Sequence, residues 1–216
     1  MSGFTRKDSS RQDAPSPHES TGPFIQVSRQ TVIATGVQAL HKIGSDAICK
    51  VCIANGGSCC QGCRHLARGI GCQQRNTSCT AWLCGFLKYL LYETDLLREW
   101  NEFWDQVPGQ DYREDFTPEF FFVSKSLLLP DIRNLSEALA DDLHELAKSH
   151  IAIGFILTLR EKIDKYIDQL EDCQLHSEKK TKIKRNIKML SSPFHRFQKE
   201  LHEYRQKFPT PLRFQS

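Results

Sequence analysis

The stretch that decides the fold class is residues 82–104, which read WLCGFLKYLLYETDLLREWNEFW. Large apolar side chains recur in it mostly at steps of three or four residues, as on one face of an α-helix. These side chains are Trp82, Phe86, Leu90, Leu97, Trp100 and Trp104, with Tyr89, Leu96 and Phe103 widening the stripe. The pattern predicts a long amphipathic helix that packs its apolar face into the core and ends before the Pro-Gly pair at 108–109.

The helices after residue 109 are predicted from caps and from the same spacing. A Thr-Pro pair at 117–118 resembles a helix start that leads into the phenylalanines 120–122. A capping-box pattern at 134–137 precedes an apolar stripe that runs to about residue 172, as one helix or as two joined near Gly154. No segment shows convincing β alternation, so the sequence predicts a mainly α protein built as a helical bundle.

Composition and charge divide the chain into five segments. Residues 85–173 contain nineteen acidic residues and nine lysines and arginines. Residues 174–216 contain eleven lysines and arginines and three acidic residues. The predicted segments are a disordered leader (1–28), a leading helix (29–48) that Gly44 ends, a cysteine-rich module (49–84), an acidic helical body (85–173) and a basic helical tail (174–216).

Eight of the nine cysteines lie in the module, and together they form the predicted metal site. They are Cys49, Cys52, Cys59, Cys60, Cys63, Cys72, Cys79 and Cys84. Two C-x2-C pairs, 49/52 and 60/63, have the spacing at which two thiolates on one tight turn reach the same ion, and tetrahedral zinc is usually held by two such pairs. Because iron–sulfur clusters are also held by four thiolates, zinc and an iron–sulfur cluster both remain open.

The amino terminus indicates a compartment in which these thiols stay reduced. It shows no apolar core followed by a small-residue cleavage site, so we expect no secretory signal. No stretch approaches the roughly 18 consecutive apolar residues of a membrane span. We therefore expect a cytoplasmic protein without a membrane span, in which dense cysteines serve metal or redox chemistry and not disulfides.

The module resembles the zinc- or iron-chelating cysteine-cluster domain family of small bacterial proteins. The resemblance rests on the C-x2-C pair at 49/52, the Cys59-Cys60 pair, the LARGIGCQQR stretch at 66–75, Cys79 and the closing WLC at 82–84. Flagellin lysine methylases carry a related domain. The resemblance implies a bound zinc ion or iron–sulfur cluster, and as an alternative an iron–sulfur enzyme or electron-transfer protein that modifies a protein side chain.

The basic tail contains a run of cations with three interpretations. The run consists of Lys179, Lys180, Lys182, Lys184, Arg185 and Lys188. It could bind nucleic-acid phosphates through charge alone, dock on the acidic body or an acidic protein partner, or form a solvated helix face. We favour docking over nucleic acid, because the acidic body is tethered to the tail at high effective concentration.

The sequence as a whole favours metal-dependent structure or interaction as the function, with the bundle and the tail presenting a surface to a protein partner. The alternatives are the iron–sulfur enzyme and a protein that associates with nucleic acid through its tail. Catalytic residues are not identified, since the chain contains no Gly-rich phosphate loop, no nucleophile elbow and no zinc-protease motif.

Overall fold

The structure is a computed structural model that describes residues 23–58, 63, 65–67, 71–72, 75–111, 114–150, 154–172 and 176–208. Its helices are α1 (Arg29–Lys42), α2 (Ser45–Ala54), α3 (Thr77–Ala81), α4 (Gly85–Glu93), α5 (Leu97–Trp104), α6 (Arg133–Ser149), α7 (Phe155–Glu171), α8 (Ser177–Leu190) and α9 (His195–Lys207). Its strands are β1 (Ile25–Ser28), β2 (Leu66–Ala67), β3 (Gly71–Cys72) and β4 (Phe120–Val123). The prediction of a mainly α fold is confirmed. Within the described ranges, every helix is too short or too polar to cross a membrane.

The stripe at 82–104 forms two helices and not the single helix predicted. α4 and α5 are separated by a turn in which Asp95 has a φ of 59°, a left-handed conformation that interrupts the helix. Trp82 lies before α4 with 40% of its surface exposed, so it does not belong to the core. The remainder of the predicted stripe is buried, namely Phe86, Tyr89, Leu90, Leu96, Leu97, Trp100, Phe103 and Trp104.

The helix predicted to start at Thr117-Pro118 is wrong, because the phenylalanine run is a β-strand. β4 pairs antiparallel with β1, and its side chains alternate between exposed Phe120 and Phe122 and buried Phe121 and Val123. This alternation is the pattern of a strand with one face on the core. Consecutive phenylalanines hide it in the sequence, since both faces carry the same residue type.

The strand pairing also shortens the predicted leader. Residues 25–28 were predicted to lie in the disordered leader, but they form β1 and pair with β4. Residues 1–22 of the leader lie outside the described residues, as does Cys173 in the predicted body.

Left-handed glycines set two of the helix boundaries. Gly154, with a φ of 83°, lies between α6 and α7. The apolar stripe that ends near residue 172 is therefore two helices, which was one of the two predicted alternatives. Gly44, with a φ of 71°, ends the leading helix as predicted and starts α2. The predicted capping box is wrong, because α6 begins at Arg133 and is preceded by Ile132, which supplies no side-chain cap.

The core is centred on α4, which packs against α7. Phe86, Tyr89, Leu90 and Leu91 of α4 are fully buried. α2 and α9 both pack on α6, and α8 packs on α7. The bundle therefore brings the cysteine-bearing helix α2, the central helix α4 and the carboxyl-terminal helices into one core.

A buried carboxylate fixes α9 to the bundle. Asp142 of α6 is 3% exposed and accepts hydrogen bonds from the backbone N–H groups of Phe197 (2.9 Å) and Arg196 (3.2 Å). The Arg196 guanidinium also donates to it at 3.3 Å. Since the first N–H groups of a helix have no partner within the helix, Asp142 satisfies donors that would otherwise be buried unpaired. Arg205 of the same helix pairs with Glu93 at 3.0 Å.

Replacing Asp142 with alanine should lower the free energy of unfolding by about 2 kcal/mol, because buried donors at the start of α9 lose a charged acceptor. Asp141→Ala is the matched control, since Asp141 is exposed on the same turn, and should cost less than about 0.5 kcal/mol. Urea denaturation at pH 7 followed by circular dichroism measures both variants. Equal losses in the two variants would contradict the capping role.

Candidate metal centre

The structure describes the side chains of five of the eight module cysteines. They belong to Cys49, Cys52, Cys63, Cys79 and Cys84, and none of these five is part of a disulfide. Cys72 is described only as part of strand β3, and Cys59 and Cys60 lie outside the described residues. The pair 60/63 therefore has no described geometry, and the structure places the pair 49/52 on helix α2 and not on the tight turn predicted. One helical turn separates the two, so both thiols lie on the same side of the helix.

Cys84 joins this pair although it is far from it in the sequence. The pKa of the Cys49 thiol is raised to about 12, first because the thiol is buried and then because charges on Cys84 and Cys52 would repel its own. Burial also raises the pKa of Cys84, and a charge on Cys52 raises it further. Hydrogen bonds from the backbone N–H groups of Leu87 and Phe86 act in the opposite direction. Each of the three thiols is thus within electrostatic range of the other two, and Cys49 and Cys84 are protonated at neutral pH in the absence of a bound cation.

An arginine from α7 completes the surroundings of these thiols. The Arg160 guanidinium donates a hydrogen bond to the Cys52 sulfur at 3.3 Å, and its charge acts to lower the pKa of Cys84. Cys52 and Cys84 are 5% and 3% exposed, so this cation lies beside sulfur atoms that water barely reaches. A positive charge in that position stabilises thiolates.

The turn after α2 is packed directly on the Cys52 sulfur. A Cβ at Gly57 would lie 2.3 Å from the Cys52 sulfur and 2.9 Å from the Leu157 side chain. The Gly57 N–H also donates to the Cys52 carbonyl oxygen at 2.8 Å. The absence of a side chain at Gly57 therefore lets the backbone close over Cys52 just before the chain reaches Cys59 and Cys60.

Cys79 is held in place by the anchoring of the short helix α3. The Asn76 side chain caps the helix by accepting from the Cys79 N–H at 2.8 Å. Asp115 accepts from the Thr77 hydroxyl at 2.7 Å and from the Thr77 N–H at 3.2 Å. At the other end, the Trp100 indole donates to the Ala81 carbonyl at 2.8 Å. These contacts fix α3 between the core and the loop that contains Asp115.

A cavity of about 580 Å³ opens beside the thiols, and Cys49, Cys79 and Cys84 are all part of its wall. Its volume falls within the range of small-molecule sites. Much of the wall is apolar, with Trp82 and Trp100 among its residues, and the cations Arg75 and Lys88 also line it. Three of the predicted ligand residues therefore line one cavity.

The thiols do not form a finished coordination sphere. Among the residues that the structure describes, no three Cys, His, Asp or Glu side chains are grouped so as to hold a metal ion. Cys63 is partly buried. What the structure brings together is the buried Cys52 and Cys84 and the partly buried Cys49, which lie close enough for the charge on one thiolate to raise the pKa of another.

Arg160 is the residue of this site that the sequence interpretation missed. It lies 76 residues after Cys84, and no local motif connects the two. A signal does exist, because Arg160 follows Ile156 by four residues and precedes Ile163 by three, which places a cation on the buried stripe of α7. A charge on an apolar face indicates a partner in the interior.

The six cations of the predicted contact surface lie on a single helix, α8. Lys179, Lys182, Lys184, Arg185 and Lys188 are exposed, and Lys180 is partly buried. This surface is separate from the thiols, since the residues of α8 that are buried in the bundle are Ile183 and Ile187.

Asp115→Asn should destabilise the protein in a pH-dependent manner. Although partial burial acts in the opposite direction, the hydrogen bonds from Thr77 and Thr117 lower the pKa of Asp115. A lowered carboxylate pKa stabilises the fold above the unfolded value of about 3.9 and ceases to do so as the pH falls through the folded value. We expect a loss of about 1 kcal/mol at pH 7, limited by the partial exposure of the carboxylate, and a smaller loss at pH 3.

Urea denaturation at both pH values tests this prediction, with Glu114→Gln as the control from the neighbouring exposed position. A stability difference between Asp115→Asn and the wild type that is the same at pH 3 and pH 7 would exclude the charged interaction.

Comparison with known proteins adds no relative. No protein-family model, no curated protein and no solved structure matches the chain. The resemblance to the zinc- or iron-chelating family therefore stays a prediction from the cysteine pattern.

Proposed function

We propose that the protein is a metal-thiolate protein in which Cys49, Cys52 and Cys84 hold zinc or an iron–sulfur cluster together with a thiolate from the remaining module cysteines. The observation that supports the proposal best is the contact of the Arg160 guanidinium with the buried Cys52 sulfur at 3.3 Å, beside the buried Cys84 and close enough to Cys49 for the charges of the three thiolates to repel one another. Ionisable groups whose pKa is shifted by burial and by charged neighbours, and which line a cleft, are candidates for a functional site.

The thiols of the site are the right donor type for such a group, but the described side chains are not grouped as a metal site, so binding would require them to move closer together. Four thiolates around a divalent ion leave a net negative charge, and the guanidinium of Arg160 at the Cys52 sulfur offsets part of it. Arg75 also acts to lower the pKa of Cys49. The raised pKa values of Cys49 and Cys84 mean that binding would displace protons from the thiols, which makes metal affinity dependent on pH.

Cys79 is the best-supported fourth ligand among the described residues, because it lines the same cavity as Cys49 and Cys84. Cys59, Cys60, Cys63 and Cys72 are the other candidates, and eight thiols suffice for two four-coordinate sites. A structural role follows from the connectivity, since the proposed ligands come from α2 and from the start of α4. A bound ion would cross-link these elements in the core.

The cavity favours a second candidate function, an iron–sulfur centre that acts on a ligand. Structural zinc sites are closed, whereas reactive centres keep one side open. The thiols Cys49, Cys79 and Cys84 border a space large enough for a small molecule or for a side chain of another protein. The identity of the metal separates the two candidates, because zinc thiolates are colourless and iron–sulfur clusters absorb visible light.

Single substitutions Cys49→Ser, Cys52→Ser and Cys84→Ser should each lower the bound metal per chain by at least half, since each removes a proposed ligand. Cys173→Ser is the matched control and should retain the wild-type content. Elemental analysis and a visible spectrum after anaerobic purification measure the effect, and far-ultraviolet circular dichroism shows whether each variant is folded.

Folded variants with unchanged metal content in all three cases would refute the ligand assignment, as would wild-type protein purified without metal. A variant that fails to fold is replaced by the corresponding Cys→Ala change with metal added during refolding. A brown wild-type protein would support the iron–sulfur centre. A colourless protein with stoichiometric zinc would support the structural zinc site.

A further inference from the structure

Helix α8 presents a strip of positive charge along the outside of the bundle. Its apolar residues Ile183 and Ile187 are buried where the helix packs on α7. Five of its six cations are exposed, and Glu178 is its one acidic residue. With 100° between successive residues, Lys182, Arg185, Lys188 and Lys184 span the whole solvent-facing arc of the helix.

None of the residues that the structure describes forms an ion pair with any of these six cations. The tail pairs with the acidic body through α9 instead, where Arg196 meets Asp142 and Arg205 meets Glu93. The charge of α8 is therefore available to a partner outside the fold.

The cations of α8 are at least as dense as the phosphates of a nucleic-acid strand. They lie between residues 179 and 188, which span about 15 Å of α-helix, so six cations amount to about one per 2.5 Å. One strand of duplex DNA carries one phosphate per 3.4 Å of helix axis. The charge on this part of α8 is therefore sufficient to neutralise the phosphates of a strand that lies against it.

An acidic protein surface is a poorer fit to α8. A few buried residues, enriched in Trp, Tyr and Arg, supply most of the binding energy of protein interfaces, and α8 contains one arginine, no tryptophan and no tyrosine. Within α8, which is described from end to end, Met189 is the one large apolar side chain that is exposed. We propose that α8 binds nucleic acid through the phosphate backbone, by charge and without reading the base sequence. This inference does not depend on the proposed metal centre.

The test measures binding of the full-length, metal-replete protein to a fluorescent 20-base-pair DNA duplex by anisotropy between 50 and 200 mM salt. Each phosphate contact contributes about −0.9 to the slope of log affinity against log salt. We expect a slope of about −5 for the wild type, since α8 carries six cations. A second duplex of unrelated sequence should bind within about twofold, as expected when only phosphates are contacted.

The decisive variant is the triple change Lys182→Gln, Arg185→Gln and Lys188→Gln on the outer face of α8. It should weaken binding at 50 mM salt at least tenfold and reduce the slope to about −3, because three phosphate contacts are lost. The control triple, Lys42→Gln, Lys148→Gln and Lys199→Gln, removes the same net charge from exposed positions on other helices. It should retain the affinity within about threefold and the slope of the wild type.

Three results would overturn the proposal: no duplex binding by the wild type at 50 mM salt, equal losses in the two triple variants, or poly-glutamate competing as well as DNA at equal charge concentration. The last result would assign α8 to an acidic protein. Since no candidate metal ligand is altered, both triples should keep the metal content of the wild type, and a metal-free protein that binds DNA would refute the metal centre alone.

Discussion

The close approach of α4 to α7 at Gly85 is the contact on which the rest of the structure depends. A Cβ at this position would lie 2.1 Å from the carbonyl oxygen of Arg160 and 2.8 Å from the amide nitrogen of Asp164. Both are backbone atoms that cannot rotate away, so any larger residue would drive the two helices apart. One turn later, Lys88 pairs with Asp164 at 2.8 Å and with Asp168 at 2.5 Å, which holds the helices in the same register.

This contact also assembles the thiol site. Cys84 immediately precedes Gly85, and Arg160 supplies both the backbone oxygen that Gly85 approaches and the guanidinium that donates to Cys52. The packing of the core and the surroundings of the thiols are therefore set by the same pair of helices. A substitution that separated α4 from α7 would open the core and would also move Cys84 away from Cys52. The arrangement of the thiols therefore depends on the same contact as the stability of the fold.

How much could be predicted from the sequence depended on whether the signal was local. The apolar spacing around Trp100 and Leu139 reports on one helix face at a time, and the buried faces were identified correctly. The strand at Phe120–Val123 was missed because its evidence is a partner about 95 residues away, at Ile25–Ser28, which no local pattern reveals. The turn at Asp95 that separates α4 from α5 was missed for another reason. A left-handed residue ends the helix but leaves the apolar spacing on both sides nearly intact.

The site shows the same division between local and distant signals. The C-x2-C spacing predicted that Cys49 and Cys52 point to one place, and this holds on a helix as it would on a turn, because both geometries bring residues three apart together. The tight turn predicted for this pair was wrong, because both cysteines lie on helix α2. Cys84 was predicted as a ligand from the density of cysteines, but its place beside Cys49 and Cys52, and that of Arg160, depend on the packing of α4 on α7 and could be found only from the fold.

The charge of the tail shows why a balance of opposite charges along the chain does not predict contacts between them. The net charges of the basic tail and the acidic body are nearly equal and opposite, yet among the described residues the ion pairs between them involve α9 and not α8. The cause is the amphipathic pattern of α8. Ile183 and Ile187 gain more from burial against α7 than any lysine gains from a surface ion pair, which contributes at most about 1 kcal/mol. Burying the isoleucines points the cations away from the body, and the same hydrophobic contact that attaches the helix therefore leaves its charge facing outward.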